Sequence, residues 1–114
     1  MSYKRGDVVL VIYPDSTLKT YKQRPALVVQ ADDITTGLPQ RIVAMITSNL
    51  GRTGATRIPI LQASPEGKSM GLVTDSVIVT DNLATVHETA IARAIGRCPI
   101  TAQVGVALRK TLGL

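Results

Sequence analysis

Short runs of Val, Ile and Leu, each cut off by Gly, Pro or a polar turn, confine this chain to a small strand-built architecture. Branched side chains favour the pleated backbone over the helix. Gly6 precedes a first apolar run over 7–13, which Pro14, Asp15 and Ser16 break; the stretch 17–23 is polar and basic. Arg24 and Pro25 lead into a second run over 26–30. Pro25 has no amide to donate, so it fits only a strand start or a free edge. A turn-rich loop over 32–39 precedes a third run over 41–47, and another loop spans 48–54. In 56–61, Ile58 and Ile60 alternate with polar or Pro neighbours, as in a half-buried or edge strand. Ser64, Pro65, Glu66 and Gly67 read as a turn, and 70–80 holds a fifth strand centred on 76–79.

The segment 82–96 admits two readings. Leu83, Val86, Ala90, Ile91, Ala94 and Ile95 fit a helical stripe that Gly96 ends. Thr85, Val86, Thr89, Ile91 and Ile95 instead favour two short strands around a turn. Past Pro99 the pattern is clearer. Thr101 is placed to cap a helix on which Val104, Leu108 and Leu112 share one stripe, and Arg109 and Lys110 suit its C-terminal end. The expected fold class is mainly β (α+β), a small barrel with a C-terminal helix, in one domain over 1–114.

With 45% hydrophobic and 18% charged residues, the chain has the apolar surface for a core and too little charge for disorder. There is no Phe or Trp, so the core is aliphatic. Only Tyr3, Tyr13 and Tyr21 are aromatic, which argues against a large base-stacking platform; Tyr13 is expected to pack. No apolar run approaches the roughly 20 residues that span a bilayer, and none of leader length follows Lys4, Arg5 and Asp7. Cys98 is alone and expected to be inert packing; with His87 the single His, a structural zinc site lacks ligands. A cytoplasmic location without metal or cofactor is expected. The net charge of +5 points to a polyanionic partner, nucleic acid first.

Several segments read together resemble the MazF/PemK toxins of type II toxin–antitoxin systems. They are Arg5-Gly6-Asp7-Val8, then Gln23-Arg24-Pro25-Ala26-Leu27-Val28-Val29, then Ile46-Thr47-Ser48-Asn49. Gly71 through Asp75, Ser76, Val77 and Ile78 continue the series, followed by Asp81 to Leu83, Thr85-Val86 and Ile95-Gly96-Arg97. The resemblance covers nearly the whole chain, in order. It implies an SH3-like (CcdB/PemK-type) barrel with a C-terminal helix, assembled as a homodimer, and resolves 82–96 in favour of strands around a short helical turn. It also implies metal-independent, sequence-specific cleavage of single-stranded RNA (mRNA) to a 2′,3′-cyclic phosphate and a 5′-hydroxyl. A cognate antitoxin with a flexible acidic tail is the implied partner, and operator DNA is met only as the toxin–antitoxin complex.

RNA carries its own nucleophile, the 2′-hydroxyl, so a protein need only align it and stabilise charge on the phosphoryl oxygens. Arg24 suits that work, being planar, permanently cationic and able to grip two oxygens. It is the expected transition-state stabiliser, with proton donation to the leaving oxygen as a second task. Thr47, at a strand end, is expected to donate its hydroxyl to the same phosphate. Lys19, Lys22, Arg52 and Arg57 border the expected groove, and Ser48, Asn49, Asp75 and Ser76 are candidate RNA contacts. Plainer alternatives stand beside most of them: a solvated basic face for the cations, turn chemistry for Thr47, Ser48 and Asn49, and a cap or an Arg pair for Asp75. His87 fits a surface or interface role better than catalysis.

Two positions depart from the family. Ala84 stands where many relatives carry Arg or Lys, and His87 where an acidic residue is common. The 17–23 loop also lacks the glycines common there. The rival functions are a non-catalytic CcdB-like inhibitor that binds gyrase and a nucleic-acid-binding regulatory module.

Overall fold

The computed structural model describes residues 3–14 and 21–114. The turn at Asp15 and Ser16, the polar segment 17–20 with Lys19, and the side chains of Tyr13 and Tyr21 lie outside the described residues. Six antiparallel strands follow in chain order: β1 (Asp7–Pro14), β2 (Tyr21–Val28), β3 (Gln40–Thr47), β4 (Arg57–Ile60), β5 (Ser76–His87) and β6 (Ile91–Arg97). They form one sheet ordered β4-β5-β3-β2-β1-β6. A short helix α1 (Pro65–Ser69) links β4 to β5, a 3-10 turn over Glu88–Ala90 links β5 to β6, and α2 (Thr101–Leu112) ends the chain.

The 82–96 ambiguity resolves as strand, because β3 supplies a ladder to nearly all of β5. The partners run from Gln40↔His87 to Ala44↔Leu83, then jump to Met45↔Val79. Thr80, Asp81 and Asn82 are therefore surplus, a large bulge that bends β5 sharply. Its first part pairs β4 and the end of β3; its second turns away to curl the sheet. Thr80 is fully buried at the corner, its hydroxyl donating to the Thr56 carbonyl and lying 3.2 Å from Thr111 Oγ1 on α2.

The curl creates two apolar layers. On one face Val8, Leu27, Ile46, Met70 and Ile78 pack with Val104 and Ala107 of α2. On the other, Val9, Val11, Ala26, Val28, Val43, Val86 and Ile91 close on themselves, with Tyr3, Met45, Ala84 and Ala90 partly buried against them. Alternation along β1, β2 and β3 sorts the residues between the layers.

Several local expectations need correction. β2 starts at Tyr21, well before the apolar run, because its polar residues pair with β1 from Pro14↔Tyr21 to Val8↔Leu27. Ser64 begins a helix, its Oγ accepting the Gly67 amide at 3.0 Å as an N-cap. Thr101 is the first helical residue of α2, and the capping position falls to Ile100 with no side-chain bond. Leu112 is 57% exposed, so the buried side of α2 is Val104 and Ala107 with Leu108 half-covered. The sheet is also not closed: no ladder joins β4 to β6 among the described residues. The end of α1 takes that place, with Ser69 Oγ donating to the Arg97 carbonyl at 2.8 Å.

Candidate functional site

The β2–β3 ladder is short. It runs Val28↔Val43, Leu27↔Ala44 and Ala26↔Met45, and then the strands part. From Tyr21 to Pro25, β2 is bonded to β1 alone, which gives Pro25 the free edge its missing amide requires. The parting opens a groove of about 510 Å³, floored by Leu10, Pro25, Ile46, Leu72 and Ile95. Arg24, Ser48, Val73 and Thr74 also line it.

Carrying the β2–β3 register two residues past its last bonded pair sets Arg24 opposite Thr47. Both continue the sheet face of Ala26, Val28, Val43 and Met45. Arg24 is exposed, and its side chain has no hydrogen-bond or ion-pair partner among the described residues. Thr47 is half-buried; its Oγ1 accepts the Asn49 amide at 3.1 Å, which leaves the hydroxyl hydrogen to donate elsewhere. Thr47 lines a neighbouring depression with Arg52 and Arg57, so the two central residues share a face but flank adjacent hollows.

The other expected contacts divide. Ser48 is exposed on the groove, and Lys22 is exposed on β2 two residues before Arg24, thus on its face. Arg52 is exposed between the Thr47 hollow and a second depression beside Asp75 and Ser76. Four candidates are engaged within the protein. Asn49 Oδ1 accepts the Gly51 amide at 3.0 Å, as turn chemistry requires. Asp75 Oδ1 accepts the Gln62 amide at 2.8 Å and so pins the loop after β4. Ser76 is 3% exposed and donates to the Thr74 carbonyl. Arg57 grips Asp81 with two nitrogens, Nε to Oδ1 at 3.1 Å and Nη2 to Oδ2 at 2.9 Å.

The Arg57–Asp81 pair shifts both partners. Arg57's hydrogen bonds hold the Asp81 carboxyl down to about 2, and Asp81 in turn raises the guanidinium further above its usual value. A cation paired bidentately is already neutralised. His87 Nδ1 meets the Thr89 amide and hydroxyl at the start of the 3-10 turn, a local structural task. Burial pushes the Cys98 thiol up, which disfavours the reactive thiolate.

Sequence reading passed over three polar residues of the groove, Gln23, Thr74 and Arg93. Gln23 sat in a segment read as loop. Arg93 lay alone in the ambiguous stretch, and only the order of strands brings it across from β2.

Among solved structures the chain is similar to an endoribonuclease in complex with its cognate antitoxin from a mycobacterial species. That match has 21% identity and a TM-score of 0.74, covering 99% of this chain and 97% of that one. It is also similar to the Mycobacterium tuberculosis toxin MazF-mt6, at 23% identity and TM-score 0.73, covering 95% and 97% of the two chains. A third likeness is to MazE-MazF from Deinococcus radiodurans, at 17% identity and TM-score 0.73, covering 100% and 98%. At such identities these likenesses establish the fold. No curated protein matches in sequence. The model of the PemK-like, MazF-like toxins of type II toxin–antitoxin systems matches residues 4–112.

Proposed function

Because this chain belongs to the PemK-like, MazF-like toxin family of type II toxin–antitoxin systems, we propose that it is an endoribonuclease cleaving single-stranded RNA at Arg24 and Thr47. One observation carries the reading: an exposed guanidinium without a partner among the described residues, on the parted edge of β2 and on the same sheet face as a threonine hydroxyl still free to donate. In the proposed reaction the substrate's 2′-oxygen forms a bond to phosphorus as the bond to the 5′-oxygen breaks. The products are a 2′,3′-cyclic phosphate and a 5′-hydroxyl; the 2′ proton passes to solvent, and the departing 5′-oxygen takes one up. Arg24 stabilises the charge on the phosphoryl oxygens, and the Thr47 hydroxyl donates to one of them. Ser48 contacts the strand beside them, and Lys22 and Arg52 attract it. Arg57 is left out of the RNA-binding set, since Asp81 already satisfies it.

The same membership supports a cytoplasmic toxin acting as a homodimer and held in check by an antitoxin with an acidic tail. The test is cleavage of a long single-stranded RNA in excess EDTA by the wild type, Arg24→Ala and Thr47→Ala. Discrete products with cyclic-phosphate ends are expected, slowed about 10²–10³-fold in each variant. Intact RNA, with cells still poisoned by Arg24→Ala, would replace this reading with a non-catalytic inhibitor of the CcdB type.

A further inference from the structure

Of the arginines among the described residues, several are spoken for. Arg41 pairs with Glu88, Arg57 with Asp81 and Arg97 with Asp7, while Arg5 donates to the Val29 carbonyl. Arg93 on β6 has no such bond among the described residues, is exposed, and lines the groove that holds Arg24. Its position follows from two ladders. Arg93 lies opposite Leu10 across β6–β1, and Leu10 lies opposite Pro25 across β1–β2. Strands stand about 4.8 Å apart, so the backbones at Arg93 and Pro25 are roughly 10 Å apart with apolar Leu10 between them.

The groove thus has an apolar floor, two guanidinia among its lining residues, Arg24 and Arg93, and no carboxylate among those described. Two unpaired cations that line one groove repel, and an anion bound between them relieves that repulsion. We propose that Arg93 is a second phosphate-binding residue, holding the RNA backbone across the floor from Arg24 and so fixing which phosphate reaches Arg24. This rests on the ribonuclease reading and adds a residue to that site. Arg93 binds the strand; it takes no part in breaking the bond.

The test uses a 2′-O-methylated 20-mer spanning a cleavage site mapped in a long transcript, with binding followed by anisotropy against salt. Loss of one single-strand phosphate contact flattens the log–log salt slope by about 0.7. Arg93→Gln is expected to show that change and to bind roughly tenfold more weakly or worse. On the unmodified 20-mer, KM rises while kcat stays within about twofold, because a contact kept throughout the reaction affects binding only. Arg93→Lys restores the slope. Arg109→Gln, on α2, controls for lost net charge and leaves the slope unchanged. An unaltered slope in Arg93→Gln, or an equal change in Arg109→Gln, overturns the proposal. A wild type that binds but does not cleave would sink the ribonuclease reading while leaving the Arg93 slope able to speak for itself.

Discussion

At the scale of single residues, engagement decides which cations can serve a ligand. Arg52 and Arg57 look alike in the sequence, yet only Arg57 has a carboxylate, Asp81, placed by the β5 bulge. The pair gives a pH signature with a definite sign. Asp81 titrates at about 2 in the fold against an ordinary 3.8, so the pair's stabilisation is complete above the ordinary value and disappears as pH falls through 2. Arg57→Gln should return the Asp81 carboxyl, followed by NMR, to near 3.8; a midpoint that stays near 2 would remove Arg57 as the cause. The same reasoning makes Arg57→Gln silent in RNA salt dependence, whereas Arg52→Gln is not. Arg24 and Thr47, the centre of the proposed site, stand in short ordered motifs that the sequence displays. Arg93 offers no such signal, because its place on the groove depends on β6 lying beside β1, which no local pattern encodes.

At the scale of elements, the strands announced themselves through branched aliphatic runs, and the errors fell where tertiary pairing outweighed local composition. β2 extends through a polar stretch because β1 offers it partners, and β5 continues past Thr80 because β3 does. The open side of the sheet was hidden for a related reason, being closed by contact and not by a ladder. There Gly71 and Gly96 let the chain after α1 lie directly on β6. A Cβ on Gly96 would fall 2.4 Å from the Ser69 carbonyl oxygen and from the Met70 carbonyl carbon. A Cβ on Gly71, which sits at φ +70°, would fall 2.1 Å from the Ile95 carbonyl oxygen. Both obstacles are backbone and cannot swing aside. Gly96→Ala should therefore cost about 1–3 kcal/mol and lower Tm by roughly 5–15 °C, measured by calorimetry. An unchanged Tm would mean that this contact is not what closes the sheet.

At the scale of the whole molecule, fold and charge cooperate. The net charge of +5 was readable at once, but a charge total has no direction; the fold supplies one by neutralising some cations and leaving others exposed, two of them on one groove. Lys22, Arg24, Arg52 and Arg93 all remain exposed, while Arg41, Arg57 and Arg97 are spent on internal pairs. If each of those four meets one phosphate, the salt slope for a single strand is about −2.8. Between about 50 and 200 mM salt, affinity then falls roughly fiftyfold. A slope near −4.9, as seven neutralised phosphates would give, would show that the internally paired arginines open to bind RNA. A slope near zero would show that the excess charge serves no RNA at all. An intermediate slope that loses about 0.7 with each of Lys22→Gln, Arg24→Gln, Arg52→Gln and Arg93→Gln, and nothing with Arg57→Gln, assigns the attraction to the free cations.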